Sequence, residues 1–180
     1  MTISLRWVLR KKILKKLLLL DADVIIDLHT LGLFEKIAKS YDIWVTKTVL
    51  GEAQYFKKEG TRENIDISDM VTIIEDVELD SLKKVQNEAN EARLGIDPGE
   101  LESIAYMCDT EEEITFCTCD KAAIKLISYM GIESKSMSVE KAVRGAGHHK
   151  KNLYPRHLEK IFKQCIKDGE TLRIQFKKLT

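Results

Sequence analysis

The chain reads as an α/β protein built on a mainly parallel sheet, and three observations predict it. Leu17 to Leu20 form an unbroken apolar run that stops on an acid, in Asp21-Ala22-Asp23-Val24-Ile25-Ile26, as a strand buried on both faces would. Much later Ile114-Thr115-Phe116-Cys117-Thr118-Cys119 repeats the device and stops on Asp120. Segments of helical spacing alternate with short β-rich runs through the first 145 residues, the pattern of parallel strands joined by crossover helices that cover both faces. Open sheets of this kind bind ligands outside the carboxyl ends of their strands, so the two acids suggest one acidic pocket.

The elements follow in order. After the strand at 17–20, residues 26–40 carry Ile26, Leu28, Leu31, Leu33, Phe34, Ile37 and Ala38 at helical spacing. A short strand is predicted over 42–46, then a helix over 48–58 with Val49, Leu50, Ala53 and Phe56 inward and Gly60 as its stop. Residues 71–74 read as β. Residues 78–94 read as a charged amphipathic helix with Leu79, Leu82, Val85, Ala89 and Ala92 as its spine. Asp97-Pro98-Gly99-Glu100 is a strong helix start, with an N-cap acid and proline at the first helical position. That helix should reach about residue 108. Beyond the strand that ends at Asp120 come a helix over 121–130 closed by Gly131 and a helical stretch over 138–144. A Gly145-Ala146-Gly147 hinge, a last helix from Pro155 to about 167 and a strand over 171–176 complete the chain.

Length and charge set the organisation. The 180 residues suit one domain with terminal extensions: a basic arm over 1–16, the domain over 17–145, and a basic extension over 146–180. The net charge of zero conceals an asymmetry. Residues 1–20 hold six Lys/Arg and no acid, residues 21–140 hold twelve against 26 Asp/Glu, and residues 141–180 hold eleven against three. An acidic middle fits a cation-binding site, and basic ends fit a polyanion such as nucleic acid, although solvated lysine faces would read the same way. Cys117 and Cys119 should point to one side of a strand, but no Cys/His pair completes a zinc spacing. Free thiols and a cytoplasmic location are expected. The apolar part of the N-terminus is interrupted by Lys15 and Lys16 and is too short to span a bilayer, so no membrane association is expected.

Four acids stand where structure alone does not ask for them. Asp21 and Asp120 end strands, Glu52 sits between Leu50 and Ala53 on a helix that closely follows the second strand, and Glu102 lies in Leu101-Glu102-Ser103-Ile104-Ala105 near the start of a docking helix. Clustered carboxylates repel one another unless a cation intervenes, and hard oxygen donors favour Mg²⁺ or Mn²⁺. Such ions can polarise a phosphodiester and activate water, which points to metal-assisted phosphodiester hydrolysis.

These residues resemble the PIN-domain ribonucleases, in a prokaryotic, toxin-like or Gly-Glu-motif branch. The resemblance rests on Leu-Leu-Leu-Leu-Asp21-Ala-Asp23-Val-Ile-Ile, then Val49-Leu50-Gly51-Glu52, then Gly99-Glu100-Leu101-Glu102-Ser103-Ile104-Ala105, then Thr118-Cys119-Asp120. It covers about residues 17–145 and matches in order and approximate spacing. It implies a three-layer α/β/α sandwich, acids holding Mg²⁺ or Mn²⁺, and endoribonuclease cleavage of RNA. It also implies candidate partners: an antitoxin protein, as for toxins of toxin–antitoxin pairs, and a second copy in a homodimer. Carried over by position, Asp21, Glu52 and Asp120 would be metal ligands and catalytic acids, and Thr118 would steady the site. The third acid is open between Glu100, which matches the Gly-Glu element but is placed to form a capping box with Asp97, and Glu102, favoured because it lies 18 residues before Asp120.

Asp23 is placed either to cap the following helix or to support the metal site. Asp27 and His29 read as a solvated helix face, and Glu111 to Glu113 as an exposed turn. Lys121 and the segment His148, His149, Lys150 and Lys151 are candidates for holding the RNA backbone. Two rival functions remain. A PIN-like scaffold without catalysis would bind RNA or protein through the same fold. Asp21 and Asp23 also resemble the nucleophile and general acid of haloacid-dehalogenase-type phosphatases, but Asp120 is followed by Lys121 where that family closes its magnesium site with paired acids.

Overall fold

A computed structural model describes residues 15–149 and 152–177. The basic arm expected over 1–16 lies almost wholly outside these residues, as do Lys150 and Lys151. In chain order the elements are β1 (Lys16–Leu20), α1 (Ala22–Thr30), α2 (Phe34–Ser40), β2 (Tyr41–Thr46), α3 (Lys47–Glu52), β3 (Tyr55–Lys58), β4 (Thr61–Asn64) and β5 (Thr72–Ile74). They continue with α4 (Leu79–Glu91), α5 (Pro98–Asp109), β6 (Ile114–Cys117), α6 (Lys121–Tyr129), β7 (Ser136–Met137), α7 (Val139–Gly145) and α8 (Glu159–Phe176).

Five strands form one sheet in the order β5-β2-β1-β6-β7, with every neighbouring pair parallel. The leucine run lies at its centre because a strand with neighbours on both sides and helices on both faces has no solvent-facing side chains to offer polar residues. Its alternation divides the interior in two. Leu18, Leu20, Ile43, Val45 and Cys117 join residues of α1, α2, α3 and α7 on one face. Leu19, Phe116 and Ile104 join α4, α5 and α6 on the other. The result is an α/β/α sandwich with a C-terminal helix. All four cysteines are free, and Cys117 and Cys119 share one core cluster.

The chain steps outward from β1 through β2 to β5, then crosses back to the other side of β1 for β6 and β7. The order therefore reverses between β1 and β6. Helices leave those two strands toward opposite faces, which opens a crevice at their carboxyl ends. Leu20 pairs with Cys117 at the last rung, so Asp21 and Thr118 emerge side by side at that crevice.

Besides the short edge strand β7, which the sequence reading does not contain, the structure differs from the sequence expectation in three places. The helix expected over 26–40 is two helices, parted where Gly32 adopts a φ of +64°. The helix expected over 48–58 ends at Glu52, and its second half is the antiparallel hairpin β3–β4, turned at Glu59 and Gly60 with positive φ at both positions, +49° and +83°, as a tight hairpin turn requires. The strand expected over 171–176 is instead the end of α8. Thr171-Leu172-Arg173-Ile174-Gln175-Phe176 alternates like a strand, but Leu172 and Phe176, one helical turn apart, dock on the second core and leave Ile174 69 % exposed. Much of the expected extension thus packs onto the domain. Gly169 of α8 approaches α6 so closely that a Cβ there would fall 2.4 Å from the Lys125 carbonyl, and Ser128 donates to the Ile166 carbonyl at 2.7 Å.

Candidate active site at the carboxyl edge of the sheet

Asp21 caps α1, its Oδ1 accepting from the Ala22 amide at 2.7 Å. It is 3 % exposed, and no cation is bonded to it among the described residues. Burial first, and the charges of Asp23 and Asp120 after it, push its carboxyl up to about 7 against the opposing hydrogen bonds from Thr118 and Ala22. Thr118 ties the two strand ends together: its hydroxyl donates to Asp21 Oδ2 at 3.1 Å and accepts from the Asp120 amide at 3.1 Å. Asp120 caps α6, its Oδ1 accepting from Ala122 at 2.6 Å and Ala123 at 2.9 Å. Its second oxygen has no hydrogen-bond partner among the described residues.

The third carboxylate of this group is Glu100. It is 6 % exposed on the first turn of α5, and burial followed by the charges of Asp21 and Asp120 pushes it up to about 9. The capping box with Asp97 is present, yet it engages only Glu100 Oε2, at 3.3 Å from the Asp97 amide, and leaves the other oxygen available. Glu102, favoured on spacing, turns elsewhere. Its Oε1 accepts from the Thr48 hydroxyl at 2.8 Å, and the largest charge effects on Glu100 come from Asp21 and Asp120. Residues two positions apart on a helix, as Glu100 and Glu102 are, differ by about 200° in direction, so only one of the pair can face the crevice.

A second acidic group borders the first. Glu52 ends α3 at the exposed rim, where burial, then Asp97, and more weakly Glu102 and Asp23, raise its carboxyl above the ordinary range. It lies against the start of α5, where a Cβ on Gly99 would fall 2.6 Å from Glu52 Oε2 and 2.9 Å from Val49 Cγ2. Glycine at 99 permits this approach. Asp23 raises both Asp21 and Glu52 and so joins the groups into one acidic rim.

The other expected site residues divide. Lys121, the first residue of α6, is exposed beside Asp120. His148 and His149 follow α7, whose Ala142 carbonyl accepts from Tyr41 at 3.3 Å. Tyr41 begins β2, so the two histidines leave from the amino edge, away from the acids. Asp27 and His29, expected on a solvated face, are respectively buried and half-buried, with His29 stacked on Phe34 at 4.4 Å. Glu111 to Glu113 are exposed.

Sequence reasoning missed Arg156 and His157. Asp27 Oδ2, 5 % exposed, accepts from Arg156 Nε at 2.9 Å and Nη2 at 2.6 Å, and lies 2.6 Å from His157 Nε2, while Arg156 Nη1 reaches Asp23 Oδ2 at 2.7 Å. A separation of 129 residues between Asp27 and Arg156 left no local signal to find them. Asp27, Cys119 and His157 are the one trio among the described residues whose potential metal-ligand atoms lie within 4.8 Å of one another. The hydrogen-bond network argues against a metal there. His157 Nδ1 accepts from the Tyr154 amide at 3.3 Å, which assigns the ring proton to Nε2, and a protonated nitrogen has no lone pair to give. This cluster is a clamp that fastens the C-terminal segment to α1. Asp21, Glu100 and Asp120 make a different case: Asp21 and Glu100 are buried with their carboxyls raised, and although the oxygens of the three acids do not all lie within 4.8 Å of one another, hard oxygen donors of this kind suit a hard divalent ion.

Comparisons with protein-family models, with curated proteins and with solved structures find no match. Among the described residues no helix is long and apolar enough to cross a membrane.

Proposed function

We propose that this protein is a Mg²⁺- or Mn²⁺-dependent endoribonuclease with a PIN-like active site. The observation that carries the reading is the burial of Asp21 and Glu100, uncompensated, beside Asp120 at the reversal point of the sheet. Asp21, Glu100 and Asp120 would hold the cation, and a divalent ion bound there supplies Lewis acidity toward a phosphate oxygen and lowers the pKa of a water. Thr118 fixes the Asp21 carboxylate by its donated hydrogen bond and holds the Asp120 backbone by its accepted one. Glu52 extends the negative rim that draws the cation in, Asp23 borders it in an ion pair with Arg156, and Lys121 is placed to meet RNA phosphate beside Asp120. The net reaction is attack of water oxygen on phosphorus with loss of a ribose oxygen.

The phosphatase reading needs Asp23 free as a general acid, and its Oδ2 is engaged by Arg156. The scaffold reading requires RNA or protein binding without turnover. Incubating the protein with end-labelled RNA in Mn²⁺ or in EDTA tests the proposal. Cleavage that needs Mn²⁺ and is lost in Asp21→Asn supports it, and intact RNA under both conditions refutes it.

A further inference from the structure

The hairpin β3–β4 has chemistry that the fold does not require. Its register places Lys57 directly opposite Arg62, and like charges facing across a hairpin destabilise it. Lys57, Lys58 and Arg62 have no salt-bridge partner among the described residues. The Arg62 guanidinium instead lies over the exposed Tyr55 ring, 3.5 Å from its centroid. These three cations stand in the part of the chain, residues 21–140, where acids outnumber bases 26 to twelve. Beside them runs an open groove of about 430 Å³, lined by Ile26, Thr30, Tyr55, Phe56, Lys57 and Arg62.

The groove is tied to the acidic edge in two ways. Ile26 and Thr30 lie on α1, the helix capped by Asp21, about 7.5 and 13.5 Å further along its axis at about 1.5 Å per residue. Tyr55 follows Glu52 by three residues. An apolar floor, an aromatic ring and an unneutralised cationic rim are the elements that bind unpaired bases and their phosphates in single-stranded nucleic acid.

We infer that the hairpin groove is a binding site for an unstacked base and the adjoining phosphates of single-stranded RNA, feeding the strand to the acidic edge. The site rests on the ribonuclease reading for its choice of nucleic acid, but its test does not require cleavage. Tyr55 offers a stacking face once Arg62 swings to a phosphate, and Lys57 supplies the second charge.

The test is fluorescence anisotropy of a short labelled single-stranded RNA with the full chain in EDTA, where no turnover occurs. Tyr55→Ala should weaken binding about tenfold, with Tyr55→Phe close to the parent. Lys57→Ser with Arg62→Ser should weaken it about tenfold and flatten its salt dependence, whereas Lys163→Ser on exposed α8 should not change it. Thermal melting of each variant checks that the exposed substitutions leave the fold intact. Parent-like affinity in both hairpin variants, equal weakening by Lys163→Ser, or no RNA binding by the parent would overturn the inference. So would a changed oligomeric state with unchanged RNA affinity, which would make the groove a contact between copies. Absence of Mn²⁺-dependent cleavage with hairpin-dependent binding intact would refute the nuclease reading alone.

Discussion

Asp21 and Asp27 are separated by less than two turns of α1 and are almost equally buried, at 3 % and 5 % exposed, yet the protein treats them in opposite ways. Asp27 receives a guanidinium and an imidazole on one oxygen. Asp21 receives a hydroxyl and its own helix's first amide, and two further carboxylates press on it. A buried charge that is met by opposite charge holds structure together. A buried charge left unmet costs stability, and under the proposed reading a bound cation would carry the missing charge.

The largest effect should come from breaking the satisfied pair. Arg156→Ala leaves Asp27 buried without its main cation and should cost about 3 kcal/mol in urea unfolding. A loss below about 1 kcal/mol would mean that the clamp is not the structural half of the contrast.

The unsatisfied side should respond with the opposite sign. Asp21→Asn removes a desolvated charge, and Glu100→Gln removes a carboxyl that must take up a proton to fold at pH 8, so each should stabilise the metal-free protein at that pH by about 2 kcal/mol or more while abolishing stabilisation by added Mn²⁺. Destabilisation by both would show that these acids are structural as they stand.

The pH profile sharpens the same point. Both carboxyls titrate higher in the folded chain than unfolded, so the native state binds more protons between the two values. The contribution of these two groups to metal-free stability should therefore be greatest at low pH and be lost as pH rises, between about 4 and 7 for Asp21 and between about 4.5 and 9 for Glu100. The melting-temperature gain from Mn²⁺ should grow over the same window, because ion binding displaces those protons. A gain independent of pH would place the ion elsewhere.

Smaller effects separate neighbours. Thr118→Val keeps the shape but removes two hydrogen bonds and should cost about 1 kcal/mol. Glu102→Gln should change Mn²⁺-dependent cleavage less than about threefold, where Glu100→Gln lowers it about a hundredfold or more. Equal losses would return Glu102 to the ligand set.

The strands that carry Asp21 and Asp120 were legible because a buried parallel strand must be apolar throughout, so an acid at its end has nowhere ordinary to go. The choice between Glu100 and Glu102 was not. Both lie on the exposed-to-buried boundary of an amphipathic helix, and counting residues back from Asp120 carries no information about rotation, whereas docking of α5 against α3 at Gly99 does. Glu52 was found through its position in an ordered motif, while its setting against Gly99 appears only once the two helices pack. The hairpin was misread because Phe56 continues the apolar spacing of α3, and the Glu59-Gly60 turn reads equally well as a helix stop.

The sequence by itself determined the layer architecture, the two acid-bearing strand ends and the helix starts, because periodicity, capping and burial of apolar runs act over a few residues. Tertiary structure alone decided that Glu100 faces the crevice, that α8 outcompetes a terminal strand, and that Arg156 and His157 close on Asp27. Those outcomes depend on charges and surfaces far apart in the chain, whose energies exist only after packing has excluded water between them.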